Sequence, residues 1–167
     1  MLNFETVTND IEQWIINFVE VKNPALGGWP PCPYARKARL EQDFEVRLGQ
    51  DLGGDLEDIA RTGITKSVVI IVYNGHRYTA NQFNKTMVDL NEQHLLKHDL
   101  LALADHPDDL EIVNGVSMNQ GTYALALVQS LSDLNVKAKI MAAKGFYDAW
   151  PADYLQMLFQ HREDPRL

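Results

Sequence analysis

Cys32 is the only cysteine of the chain and lies in the run Gly28-Trp29-Pro30-Pro31-Cys32-Pro33-Tyr34-Ala35-Arg36-Lys37-Ala38-Arg39. Pro33 suits the first position of a helix reaching Leu40 or Glu41, which puts Cys32 at its N-cap. A thiol there faces the positive end of the helix dipole and can accept backbone N–H groups, and both effects lower its pKa. Arg36 and Arg39 follow in phase with Cys32 on one helix face. A guanidinium beside a thiolate stabilises it and can clamp an anionic substrate. The same residues equally describe an inert cysteine packed under a proline loop, with both arginines paired to acids.

A second cluster, Asp105-His106-Pro107-Asp108-Asp109, follows an apolar segment that reads as a strand. Open α/β sheets commonly bind ligands beyond the carboxyl ends of their strands. His106 in that position is a candidate general base for Cys32 or an acid toward substrate, with Asp108 or Asp105 orienting its ring. The competing reading is a polar turn capped by its aspartates. His94 and His98 have metal-ligand spacing but lack the glutamate of a His-Glu-x-x-His site, so a solvated helix end is expected and no metal. Cys-Pro-Tyr resembles a glutaredoxin active site, yet Ala35 stands where the second cysteine would be, which excludes dithiol exchange within the chain. The stretch Asn114 to Tyr123 matches neither a P-loop nor a dinucleotide fingerprint, and no Gly-x-Ser-x-Gly elbow occurs. No cofactor is expected.

The elements that must position these residues are marked by periodicity and punctuation. Ile11, Trp14, Ile15, Phe18 and Val19 form one stripe of a helix over 10–21, with Asn9 and Glu12 as its capping box. Phe44, Val46 and Leu48 alternate with charged residues as a half-buried strand over 44–48. A short helix over 55–61 is stopped by Gly63. Residues 67–73 form a β-branched run suited to a central strand. Thr79 and Gln82 make a capping box for a helix to about residue 97, and residues 100–104 form a third strand. Thr122 is expected to cap a helix through Leu131, Ser132 or Asp133 the next, and Pro151 to begin the last. Phe146, Tyr147, Trp150 and Tyr154 read as packing between those helices. The polar tail over 161–167 is expected to fray. Strands separated by helices give an α/β fold: a small, mainly parallel sheet of three to four strands, with flanking helices and a helical C-terminal layer.

Composition narrows the function classes. The 167 residues, 46% hydrophobic and 23% charged, predict one folded domain. A net charge of −8 opposes a phosphate backbone, so no nucleic-acid partner is expected. The longest apolar run, residues 68–73, is far short of the ~20 residues of a membrane span, so no membrane is expected either. One cysteine and no signal-like N-terminal segment make the cytosol the expected compartment.

With Trp14, Cys32-Pro33-Tyr34-Ala35, the strand 67–73, the helix 80–97 and Leu103-Ala104-Asp105-His106-Pro107-Asp108 in this order, the chain resembles a bacterial family without assigned activity, the domain-of-unknown-function family fourteen-fifteen. Tyr34 replaces a Phe, Asp105 stands where Phe is usual, and residues 23–31 look inserted. The resemblance implies that Cys32 and His106 belong to one site and carries no substrate or cofactor. Two expectations follow. One is a Cys/His site, with Cys32, His106 and Asp108 acting on a small anionic ligand held by Arg36 and Arg39. The alternative is a non-catalytic interaction module that meets a protein partner through its acidic surface and aromatic C-terminal helices. A shared cleft for Cys32 and His106 favours the first; an exposed patch of Trp29, Tyr147, Trp150 and Tyr154 favours the second.

Overall fold

The β-branched run becomes strand β2 (Val68–Asn74), flanked on both sides as its continuous apolar character requires. The computed structural model describes residues 1–167. Strand β1 (Phe44–Leu48) pairs parallel to β2, with Phe44 opposite Val68 and Leu48 opposite Val72. On the other side of β2 lies β6 (Tyr123–Ser130), antiparallel, with Val69 opposite Val128. Strand β3 (Leu100–Asp105) runs antiparallel to β6 and closes the four-stranded order β1-β2-β6-β3. A separate hairpin, β4 (Ile112–Val113) and β5 (Val116–Ser117), turns on Asn114 and Gly115, both with positive φ.

The expected mainly parallel sheet is therefore corrected to a mixed one, with a single parallel pairing. The cause is the segment expected to be a helix from Thr122. Tyr-Ala-Leu-Ala-Leu-Val is rich in good helix formers. It is nonetheless a strand buried on both faces, so no polar alternation betrays it.

Helix α1 (Phe4–Trp14) starts earlier than expected, because Asn3 rather than Asn9 caps it by accepting the Thr6 N–H at 3.0 Å. It continues as a π-helical turn, Ile15–Val19. The short α2 (Ala35–Leu40) precedes β1, and α3 (Leu52–Thr62) is capped by Asp51. Helix α4 (Ala80–Leu90) carries the expected Thr79/Gln82 capping box, then a π-helical turn, Asn91–Leu95, and a 3₁₀ turn, Leu96–His98. Ser130 caps α5 (Leu131–Ala143), and α6 (Ala152–Leu158) follows Pro151.

One sheet face is closed by α3 and α4, which bury Leu56, Ile59, Phe83 and Met87 against Val69, Ile71, Tyr73 and Ala126. The other is covered over β1, β2 and β6 by α1, whose Val7 and Ile11 meet Val46, Ile70 and Leu125. Each such buried side chain contributes about 1.5–3 kcal/mol relative to exposure. A third cluster joins Leu26 and Val113 to Phe146, Trp150, Leu155 and Phe159, so the C-terminal aromatics pack among themselves as expected. In the tail, His161 lies 3.2 Å from Glu92 and the Glu163 N–H donates to Asn135 at 3.0 Å. No helix is long and apolar enough to cross a membrane.

Candidate functional site

Strand parity divides the second sequence cluster. Asp105 lies opposite Leu125, on the α1 face of the sheet. His106, one residue on, packs against Phe83 of the closed face with ring centroids 5.7 Å apart. Only 1% of His106 is exposed. Its Nε2 is 2.8 Å from the Tyr78 carbonyl oxygen, and its Nδ1 accepts the Asp108 N–H at 3.1 Å. A carbonyl can only accept and an amide N–H can only donate, so the ring is neutral with its proton on Nε2. Neither nitrogen is left for proton transfer. Asp108 orients the ring through its backbone N–H, not through its carboxylate.

Cys32 lies between the first π-helical turn and α2, with its N–H donating to Val19 O at 3.1 Å. Helix α2 begins at Ala35 with Tyr34 as its cap, so Cys32 is not the N-cap residue expected from Pro33. Burial pushes the Cys32 thiol above its ordinary pKa, outweighing the hydrogen bonds it accepts from Tyr34 and Ala35 N–H. That reverses the expected lowering. Arg39 donates through Nε and Nη2 to the Glu20 carboxylate at 2.8 and 2.7 Å and holds it below the usual carboxylate range. Arg36 is exposed, and its charge acts on the same Glu20. The structure thus pairs Arg39 with Glu20, leaves Arg36 exposed and Cys32 beside a groove, and seals His106 behind the sheet.

That groove, with a cavity volume of about 410 Å³, is the feature the sequence did not announce. It runs along β3, one of the two edge strands of the sheet. Asn84, Met87 and Val88 of α4 form one wall; Trp14, Phe18, Cys32 and, from α6, Tyr154 and Met157 form the other. Leu101, Leu103 and Leu127 supply the apolar floor, and the Trp14 Nε1–H is buried in the wall without an acceptor. One end carries Asp105, Asp109 and Glu111. Asp105 accepts the Gln120 N–H at 3.1 Å and Asn119 Nδ2 at 3.2 Å, yet burial raises its pKa. Burial also raises Glu111, helped by the charges of Asp105 and Asp109, although it accepts the Tyr154 hydroxyl at 3.2 Å. Asp109 accepts Asn84 Nδ2 at 2.7 Å. Asn119 ties the loop together, accepting the Glu111 N–H at 2.7 Å and donating to Asp109 O at 2.7 Å.

Of these residues, the sequence reading named Asp105 only as an orienting group and missed Glu111, Asn119 and Tyr154 as a set. The available signal was the acid density from Asp105 to Glu111. His94 lies 3.4 Å from Glu57, and no three His, Cys, Asp or Glu side chains converge to hold a metal ion. No protein-family model, no curated protein and no solved structure matches this chain. The geometry offers no nucleophile–base pair. It offers an apolar groove ending on carboxylates whose charge burial disfavours, where an entering cation would offset that cost.

Proposed function

We propose that this chain is a binding protein that takes a partner with an apolar body and a cationic group into the β3 groove. One observation carries the reading: the apolar floor of Leu101, Leu103 and Leu127 ends on Asp105 and Glu111, both with carboxyl pKa values raised by burial. The reading keeps the interaction module expected from the acidic composition but moves its surface. Phe146, Trp150 and Phe159 are buried, and Tyr154 instead forms part of the groove wall. The Cys/His reading asks for a low-pKa thiol, a free imidazole nitrogen and unpaired guanidinium groups; burial of Cys32, the paired nitrogens of His106 and the Glu20–Arg39 pair weigh against it. Kinship with domain-of-unknown-function family fourteen-fifteen is proposed on its two motifs and adds no activity. A cytosolic location is proposed on the single cysteine.

Titrating the native protein with dodecylammonium, dodecanol and dodecanoate below their micelle concentrations tests this. The ammonium is expected to bind at least ten-fold more tightly than the carboxylate, with the alcohol between them. Glu111→Gln is expected to narrow that gap. Equal binding of all three, or binding of none, overturns the reading.

A further inference from the structure

The floor of the groove is a strand edge as well as an apolar surface. β3 pairs with β6 on one side only. The Asn91 side chain occupies part of the other side, its Oδ1 accepting the Ala102 N–H at 2.8 Å and its Nδ2 donating to Ala102 O at 2.9 Å. Asn91 thereby supplies one rung of a missing fifth strand. In an antiparallel ladder, N–H and C=O of a residue point the same way, and alternate residues point to the same side. The Ala104 N–H and C=O therefore point away from β6, as those of Ala102 do. Ala104 is half-buried and lines the groove, and no side chain bonds its backbone. The next open rung lies beside the three carboxylates.

We propose that the groove takes an extended peptide that adds to β3 at Ala104, with an apolar residue and a Lys or Arg two positions apart. This rests on the reading of the groove given above and names its partner. The spacing comes from the pleat. Leu103 and Asp105 point to the α1 face, so peptide residues opposite them point there too and lie two apart. The one opposite Leu103 continues the apolar floor. The one opposite Asp105 meets Asp105, Asp109 and Glu111, and a cation there is complementary to all three. An antiparallel peptide exchanges both backbone hydrogen bonds with Ala104 through the residue between them, and a parallel one makes them through the two flanking residues. Asn91 blocks the neighbouring rung, which keeps the added segment short and makes side-chain spacing its main specificity. It also blunts an edge that would otherwise invite aggregation.

The experiment uses the whole chain and two peptides, acetyl-Thr-Leu-Thr-Lys-Thr-amide and acetyl-Thr-Lys-Thr-Leu-Thr-amide, since strand direction sets the order. Each is compared with a form N-methylated at the residue whose N–H would donate to Ala104 O, the central Thr of the Lys-first peptide (antiparallel) and the Lys of the Leu-first peptide (parallel), and with one carrying Glu for Lys, while hydrogen exchange of the Ala104 amide is followed by NMR. One order is expected to bind saturably and slow that exchange. N-methylation, which keeps every side chain and removes the backbone donor, is expected to weaken binding about ten-fold, the worth of one hydrogen bond. Replacing Lys by Glu is expected to weaken it further. Undiminished binding after N-methylation, unchanged Ala104 exchange, or equal binding of the Glu form overturns strand addition. Dodecylammonium binding without peptide binding also overturns it, while leaving the groove reading intact. If neither binds, both fail.

Discussion

The two faces of β3 end in neighbouring residues with opposite fates. Toward α4, His106 is sealed against Phe83 with both ring nitrogens bonded. Toward α1, Asp105 sits at the end of an open groove, its carboxylate desolvated but not neutralised by a cation. The contrast shows how little residue type alone says about environment: the imidazole has both nitrogens bonded under the sheet, and burial disfavours the charge of the carboxylates beside it.

The largest test of that contrast compares Phe83→Ala with Met157→Ala. Phe83 is fully buried among Tyr73, Tyr78 and His106. Its loss is expected to cost about 3–5 kcal/mol in urea unfolding. Met157 is 55% exposed at the groove, and its truncation is expected to stay within about 0.5 kcal/mol. Similar losses for the two would erase the distinction between a closed and an open side.

Next in size is His106→Ala, which leaves the Tyr78 carbonyl and the Asp108 N–H unpaired under the sheet. It is expected to cost about 1–3 kcal/mol, with dodecylammonium affinity unchanged once the variant is compared in its folded state. Wild-type stability with lost binding would return His106 to a functional role.

A smaller effect separates the sides by pH. For Glu111, burial raises the folded pKa above its ordinary 4.5. Such a group favours the folded state most when protonated in both states, and that contribution is lost as pH rises through the raised value. Glu111→Gln keeps an acceptor for Tyr154 and is expected to raise the melting temperature at pH 7 but not below the ordinary carboxyl pKa. A gain that is independent of pH would show that the charge was not the cost. The smallest expected effect concerns Cys32. Its alkylation at pH 7 should be slower than that of a free thiol and unchanged by Arg36→Ala or Arg39→Ala, because the thiol is raised and Arg39 is committed to Glu20. Acceleration by neutral-pH thiolate, lost in either variant, would restore the clamp.

Much of the frame was readable where local chemistry decides. The Thr79/Gln82 box, the β-branched run of β2 and the alternation of β1 act within a few residues, and each gave its element. β6 was not readable, because an Ala/Leu strand covered on both faces satisfies the helix pattern as well as its own. The surroundings of the candidate site were not readable for a related reason. Helix phase groups Arg36 with Arg39, but nothing local reveals that Glu20 would claim Arg39. Nor could sequence show that Pro107 would be preceded by a buried histidine rather than an open one, since that depends on which face of β3 the helix α4 covers.

The position of β6 also has a temporal side. It is the last strand of the large sheet along the chain, yet it occupies the slot between β2 and β3. During synthesis, β1 and β2 can pair as soon as both emerge, while β3 has no neighbour until β6 is made. At about 5–20 residues per second, that leaves β3 and the inner edge of β2 unpaired for seconds on every ribosome. The loop that carries Asp109 and Glu111 is made in that interval. The sheet is thus completed only when β6 is made, and the groove only later still, when α6 brings Tyr154 and Met157 to its wall, so a chain that stalls before Ser130 has neither.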